Sequence, residues 1–401
     1  MRICLLGATG SVGSSFLEVV RGSDEHSIAT LAAASNLNKL LEQAREFKPN
    51  KLLVADEVGH EKLQQLIGNN SGCFEGDLLM GETGMRQAIE DHDTDCVVNA
   101  LSGTNGLVAS ILTAQAGKKL FLANKESLVA GGDFIRELCA ESSSEIIPLD
   151  SEHNAIIRCL PQTYKPGDDL YQHGVKKLWL TASGGPFLNK SMQEIQNAKA
   201  EDACKHPTWS MGNKISIDSA TMMNKGFEII EACHIFSIEQ KDVEVIVHPQ
   251  SIVHCMVEYA DGSMIAQFSK PDMKITIHQA LNYPHYTPLD LEPLNPFDMG
   301  NLNFEKPDLQ KFSCLQLARD AHNVGGIVPL VLSVSDDHAV AAFLENKISF
   351  SDISKVIGQA TAKYSDESSI AKRQELPNDI EEIKKLVQEV SVEVLDIISQ
   401  I

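Results

Sequence analysis

Long hydrophobic runs are missing from this sequence. Its apolar stretches, such as residues 28–34, fall far short of the ~20 residues that a membrane-spanning helix needs. Clustered cysteines are missing too. Nine are scattered singly, at Cys4, Cys73, Cys96, Cys139, Cys159, Cys204, Cys233, Cys255 and Cys314, which excludes a zinc knuckle or a C-x-x-C redox pair. An odd number in a large chain fits reduced thiols in a reducing compartment. Nor is there a basic excess. The formal net charge of −21 argues against nucleic acid or an anionic membrane as partner. It also sets a condition: a site for phosphorylated ligands must be locally cationic, because the overall field repels anions. The opening, Met1-Arg2-Ile3-Cys4-Leu5-Leu6-Gly7, has one charge and a short apolar run broken by glycine. It predicts a first β-strand instead of a signal peptide, and a cytoplasmic location is expected.

What is present is an ordinary globular composition, 43% hydrophobic and 22% charged over 401 residues. That length exceeds what one core usually supports, so two or three domains are expected. Strand-like and helix-like segments alternate over the first 150 residues. Strands are predicted at 2–6, 28–34, 51–54, 95–101, 119–123 and 145–149, with amphipathic stretches such as 37–47 and 108–116 between them. This is the pattern of a parallel sheet with covering helices. From 176 to 268 the strands lengthen (177–182, 243–247, 253–259, 263–268), and Asp261-Gly262 reads as a hairpin turn. Prolines recur at Pro284, Pro288, Pro293, Pro296 and Pro307, which marks an extended linker. Beyond it Ile380, Ile383, Val387, Val390, Val394 and Ile398 form one helical stripe. The fold class expected is α/β: an N-terminal Rossmann-type parallel sheet (1–149), a central mixed α/β catalytic and dimerisation domain (150–283), a linker (284–308) and a C-terminal α-helical bundle (309–401).

The first strand runs into Gly7-Ala8-Thr9-Gly10-Ser11-Val12-Gly13 and then a helix. Glycines at this spacing let the backbone approach a pyrophosphate, and the helix N-terminus offers free N–H groups. At the head of a βαβ array this indicates a dinucleotide. The second strand ends in Ala34-Ser35-Asn36, with no carboxylate to repel a 2′-phosphate, which favours NADPH over NADH. No Arg or Lys stands beside Ser35.

Two later strands end in Asn124-Lys125-Glu126-Ser127 and Asp150-Ser151-Glu152-His153-Asn154. Ligands of open parallel sheets bind at such carboxyl ends. Asp150 and Glu152, two apart, point the same way if the backbone stays extended. Glu228 lies on a probable helix. Three carboxylates without clustered thiols favour a hard cation, Mg²⁺ or Mn²⁺, over zinc. Taken singly, each is an ordinary exposed acid; the density of small polar residues around them sets them apart. A Ser183-Gly184-Gly185-Pro186 turn is suited to cradle a phosphate, with Ser183, Ser219, Asn224 and Lys225 as donors.

These residues carry a resemblance. Leu180-Thr181-Ala182-Ser183-Gly184-Gly185-Pro186-Phe187, the run 206–232, segments 122–128 and 148–156, His248-Pro249-Gln250-Ser251 and Pro271-Asp272-Met273 are similar to the 1-deoxy-D-xylulose 5-phosphate reductoisomerases. The likeness covers nearly the whole chain and is strongest from 95 to 273. It implies rearrangement and reduction of 1-deoxy-D-xylulose 5-phosphate to 2-C-methyl-D-erythritol 4-phosphate, using NADPH and one divalent cation. It implies Asp150, Glu152 and Glu228 as metal ligands, and these with Lys125 as the catalytic set. Around the sugar phosphate it implies Lys125, Ser151, Glu152, Ser183, His206, Ser219, Asn224, Lys225 and Glu228. Thr9, Gly10, Ser11, Val12, Asn36, Asn124, Glu126 and Gly212 are implied as NADPH contacts, beside Ala34 and Ser35 at the strand end. Residues 184–213 resemble a loop that closes over substrate, with Trp209 on one side and Met273 on the other. The metal, Lys125, Lys225 and His206 are the expected source of local positive charge. A homodimer is also implied. Two segments depart from the family's usual pattern. Ala34-Ser35 stand before Asn36 where the family has Gly and then Lys, Ser or similar. Ser333-Val334-Ser335-Asp336-Asp337 stand where it has Asn-Ala-Ala-Asn-Glu.

Two rivals remain at this level. A semialdehyde-dehydrogenase type of Rossmann reductase needs a nucleophilic cysteine with an activating base, and no cysteine here reads as having that setting. A dinucleotide-binding protein without turnover is favoured only by the changed segment 333–337. His248, His254 and His278 read as structural, since no His pair has metal spacing.

Overall fold

The computed structural model describes residues 1–69, 74–209, 211–365 and 376–401. Cys73, counted among the thiols above, and Ser210, within the 184–213 stretch, lie outside the described residues. The chain divides into two compact units. The first contains residues 1–124, 135–150 and 273–289; the second contains 125–134, 151–272 and 290–401.

The first unit is built on a seven-stranded parallel sheet: β1 (Arg2–Leu6), β2 (Ser27–Ala33), β3 (Lys51–Val54), β4 (Asp77–Met80), β5 (Cys96–Asn99), β6 (Lys119–Leu122) and β7 (Ile146–Pro148). Their order is β4-β3-β2-β1-β5-β6-β7. The strands read as near-continuous apolar runs because helices cover the sheet. Ile3, Leu5, Leu31, Leu52, Val98 and Phe121 join Phe16 and Leu40 from the helices in one core. The helix Met273–Asn282 returns to this core late in sequence, adding Ile277, Ala280 and Leu281. Strand β4, which the sequence pattern did not show, is a four-residue edge strand with only Leu79 buried, too short and too exposed for a periodic signal. Chain direction across the sheet reverses at β1, where β2 continues one way and β5 the other. The carboxyl end of β1 is therefore the topological switch point at which such sheets bind ligands.

The second unit has a four-stranded mixed sheet. Its strands are β8 (Val175–Ala182), β9 (Val243–Val247), β10 (Val253–Tyr259) and β11 (Met264–Phe268), in the order β11-β10-β8-β9. Strands β10 and β11 form the expected hairpin, with Gly262 at positive φ. The helix Met223–Phe236 is buried along nearly its whole length; a helix enclosed on all sides is a core element. Asn213–Thr221 and Ser313–Val324 pack on it; Val328–Leu344 and Phe350–Ser365 pack on Ser313–Val324, and Ile380–Ser399 packs on those two. The C-terminal stripe buries Ile380, Ile383, Val390 and Val394. Residues 285–305 are mostly exposed and contain only one 3₁₀ turn, Pro296–Asp298.

Candidate active site

At the switch point of the first unit the backbone turns at Gly7, with φ of 84°. A Cβ there would lie 2.3 Å from the carbonyl oxygen of Ala100. Only glycine lets the end of β1 lie so close to the segment after β5. The helix Ser11–Val20 follows, and no side chain caps it. Its first-turn N–H groups are free for an anion, and Gly10 and Ser11 are exposed, with Thr9 and Val12 half-buried beside them. Ala34, Ser35 and Asn36 are exposed after β2. Asn36 caps the helix Leu37–Phe47 by accepting from the N–H of Lys39 at 3.2 Å. The Asn124 side chain is buried and donates to the carbonyls of Leu101 (3.0 Å) and Gly103 (2.8 Å), so it shapes the turn after β5.

One residue here escaped the sequence reading. Lys39, a turn beyond Ser35, folds back to donate from Nζ to Thr9 O at 3.0 Å and to Ser14 Oγ at 2.6 Å. Among the described residues no carboxylate pairs with it. A cation without an acidic partner thus lies on the glycine-rich turn, where the spacing of Asn36 and Lys39 on one helical turn was the available signal.

In the second unit, the carboxylates and lysines converge. Lys125 opens its helix directly after β6 and donates from Nζ to Asn224 Oδ1 (2.8 Å) and Glu228 Oε1 (2.9 Å). Asn224 Nδ2 donates to Glu228 Oε1 at 2.5 Å. Lys225, one turn before Glu228 on the same buried helix, donates to Glu228 Oε2 and stands 3.5 Å from Glu152 Oε1. Ser151 Oγ donates to Glu152 Oε2 at 2.7 Å. Glu228 is 1% exposed and both lysines 5%. Charges so buried persist only when paired and hydrogen-bonded.

Asp150 ends the first unit as the peptide neighbour of Ser151. The segment does not stay extended as the sequence suggested. Ser151 begins the helix Ser151–Cys159, which puts Glu152 in its first turn. An acid there is favoured by the N-terminal end of the helix dipole. Even so, one oxygen of Glu152 and one of Glu228 lie within 4.8 Å of each other. An all-oxygen set of this kind suits Mg²⁺ or Mn²⁺. His153, fully buried, donates from Nε2 to the backbone carbonyl of Glu228 at 2.9 Å and has Nδ1 3.1 Å from Glu231 Oε2. It braces the helix that carries Glu228.

The phosphate-competent turn has the shape its sequence implies. Gly184 and Gly185 both have positive φ, 80° and 66°, and the N–H of Gly185 donates to Ser183 Oγ at 3.1 Å. A Cβ on Gly185 would stand 2.7 Å from the carbonyl oxygen of Ser219. The turn therefore rests on the end of the helix Asn213–Thr221. Ser183 Oγ also lies 2.8 Å from His206 Nε2. The backbone N–H groups of Trp209 (2.9 Å) and Thr208 (3.3 Å) both donate to His206 Nδ1. Nδ1 must then be unprotonated, and Nε2 carries the hydrogen toward Ser183. Burial lowers the His206 pKa to about 4. His206 is accordingly a neutral donor in this structure and not the cation expected from sequence; the positive charge comes from Lys125 and Lys225. Trp209 packs edge-on to His254, ring centroids 6.0 Å apart. His248 and His278 meet backbone carbonyls, those of Asn303 and Thr287.

Three further expected contact residues have their surroundings within their own units. Gly212 precedes the helix Asn213–Thr221. Glu126 is buried and paired with Lys214 at 3.1 Å. Met273 packs against the core of the first unit.

Three family models match the chain. One described as 1-deoxy-D-xylulose 5-phosphate reductoisomerase covers residues 3–132, its C-terminal domain covers 146–236, and a DXP reductoisomerase C-terminal domain covers 268–391. The chain belongs to the 1-deoxy-D-xylulose 5-phosphate reductoisomerase family. Curated reductoisomerases agree. One from Psychrobacter sp. (strain PRwf-1) is 42% identical over 366 residues, 90% of this chain and 88% of the relative. One from Psychrobacter cryohalolentis is 44% identical over 363 residues, 90% of each. Among solved structures, a DOX-P reductoisomerase with NADPH, fosmidomycin and magnesium superposes with a TM-score of 0.92 at 39% identity, over 100% of this chain and 98% of that one. The Zymomonas mobilis reductoisomerase with NADPH gives 0.86 at 33% identity, over 100% and 99%. The parallel sheet, the mixed sheet and the helical C-terminal region are thus the architecture of a reductoisomerase.

Proposed function

We propose that the protein converts 1-deoxy-D-xylulose 5-phosphate to 2-C-methyl-D-erythritol 4-phosphate, with NADPH as reductant and a divalent metal, a step of non-mevalonate isoprenoid precursor supply. The single observation that carries this reading is the joined cluster of Glu152 and Glu228 with Lys125, Asn224 and Lys225, in a chain of this family. Asp150, Glu152 and Glu228 would hold Mg²⁺ or Mn²⁺, which when bound supplies Lewis-acid polarisation of the substrate's carbonyl.

The chain's own groups do the rest. Lys225, Asn224, Ser219 and Ser183 bind the phosphate, with His206 Nε2–H orienting the Ser183 hydroxyl. The Lys125 ammonium, held between Asn224 and Glu228, donates to a substrate oxygen as its charge grows during the skeletal rearrangement. NADPH, when bound, would supply the hydride that, with a proton, reduces the aldehyde to the alcohol. Residues 184–213, with Trp209, exclude water from that aldehyde. Thr9, Gly10, Ser11 and Val12 receive the pyrophosphate, and Asn36 with Lys39 faces the 2′-phosphate.

A homodimer and a cytoplasmic setting belong to the same proposal. Strand β11 is an edge strand with Met264, Ile265 and Phe268 each nearly half exposed, an apolar edge that a second copy would cover. The eight cysteines among the described residues are free, which suits a reducing compartment. Among the described residues, no helix is long and apolar enough to cross a membrane.

Initial rates of NADPH oxidation with the sugar phosphate test the activity. Oxidation that stops with a chelator and returns with Mg²⁺ or Mn²⁺ supports it. Oxidation indifferent to metal would reject the metal role, and none with either metal would reject the activity.

A further inference from the structure

Away from the metal-binding acids, Lys214 is ringed by carboxylates. Its Nζ stands 2.7 Å from Asp218 Oδ2, 2.8 Å from Asp336 Oδ2, 3.1 Å from Glu126 Oε1 and 3.5 Å from Asp337 Oδ1. It also lies 5.0 Å from the centre of the Phe227 ring. Three helices supply these groups: Asn213–Thr221, Lys125–Ser142 and Val328–Leu344. A fourth, Ser313–Val324, adds the Cys314 thiol, whose pKa is raised by burial first and then by Asp336 and Asp218. Lys125 is the other cation felt by Glu126.

One ammonium cannot neutralise four acids in a place this dry. Asp336 is 0% exposed and Asp218 2%. Each puts one oxygen on Lys214, and the other, Oδ1 in both, finds no hydrogen-bond partner among the described residues. Two buried carboxyls on one ammonium are the arrangement in which one keeps its proton. The position is also consequential. Ser219 follows Asp218 on the same helix, and the Gly185 turn rests on the Ser219 carbonyl.

We propose that Asp218 and Asp336, gathered on the one ammonium of Lys214, are positioning residues, that Asp218 keeps its proton in the native state, and that this proton holds the Asn213–Thr221 helix where Ser219 and the Gly184-Gly185 turn can receive the substrate's phosphate. The phosphate half of this inference rests on the function proposed above; the proton does not. Burial first, and the neighbouring Asp336 next, raise Asp218 well above the ordinary carboxyl range, against the opposing pull of Lys214. The native state therefore binds a proton that the unfolded chain has lost. Stability from this source is full below the ordinary carboxyl value and declines as pH rises through the raised one. An Asn at 336 would remove the charge that competes with Asp218 for Lys214.

The experiment compares the wild-type protein with Asp336→Asn, Asp218→Asn and, as control, Asp337→Asn, whose side chain is 23% exposed and farther from Lys214. Thermal unfolding is followed from acid to alkaline pH without substrate, and KM for the sugar phosphate is measured over the same range. The wild type and Asp337→Asn should lose stability relative to the other two as pH rises. Their KM should climb by up to about tenfold per pH unit once the proton is lost, while Asp336→Asn and Asp218→Asn stay flat. Parallel unfolding curves for all four would overturn the proton on Asp218. Flattening by Asp337→Asn as well would overturn the pairing of Asp218 with Asp336. Diverging stability with an unmoved KM would overturn the positioning role. Absence of turnover in all four would reject the substrate assignment and with it the phosphate half, leaving the unfolding data to decide the proton.

Discussion

Charge placement at individual residues explains how a strongly acidic protein would take two phosphorylated ligands. Lys125 and Lys225 are buried among the carboxylates of Glu152 and Glu228, so their charge is directed and not dispersed into solvent. Lys225→Ala should raise KM for the sugar phosphate while leaving the dissociation constant for NADPH unchanged. The fold should survive, because Lys125 and Asn224 still donate to Glu228. An unchanged KM, measured from initial rates, would remove Lys225 from the phosphate site. In the proposed reading Lys39 plays the corresponding part in the first unit. It lies on the Thr9 turn with no acidic partner among the described residues, close to the chain position where Ala34-Ser35 offer no cation. Lys39→Ala should weaken NADPH by about tenfold, the scale of one lost charge-assisted contact, and leave NADH unaffected. Fluorescence titration with each nucleotide checks this. Equal losses for both would place Lys39 at the pyrophosphate instead.

At the scale of elements, the turn Ser183-Gly184-Gly185-Pro186 and the helix Asn213–Thr221 behave as one device, because the turn rests on the helix end at Ser219. Gly185→Ala places a side chain at φ 66°, at a conformational cost of about 1–2 kcal/mol, and drives it into the Ser219 carbonyl. KM for the sugar phosphate should rise and the melting temperature should fall. A variant with both values intact would separate turn from helix. The elements were largely legible in sequence, since long apolar strands and glycine turns carry local signals. Strand β4 was not, as its four residues bury only Leu79. The helical start at Ser151 was also hidden: the run Asp150-Ser151-Glu152 suits a strand end as well as a helix N-terminus. Other features depend on chain folding over long separations. His206 is kept neutral by burial, with Ser183 brought to its Nε2 from another turn, and Asp336 meets Lys214 from a helix far along the chain. No local pattern announces either.

For the whole molecule, the proposed dimer and the proposed reaction are separate claims with separate tests. The exposed apolar edge of β11 implies that Ile265→Glu, which sets a charge on that edge, should convert a dimer to monomers in sedimentation equilibrium. An unchanged mass would place the interface elsewhere. The activity itself is tested most directly by product analysis. The protein is incubated with 1-deoxy-D-xylulose 5-phosphate, Mn²⁺ and NADPH deuterated at the transferable hydride, and the product is examined by mass spectrometry and NMR. A branched tetrol phosphate, 2-C-methyl-D-erythritol 4-phosphate, with one deuterium on the carbon reduced from the aldehyde is the predicted result. A deuterated product with the original unbranched skeleton would show reduction without rearrangement and contradict the account.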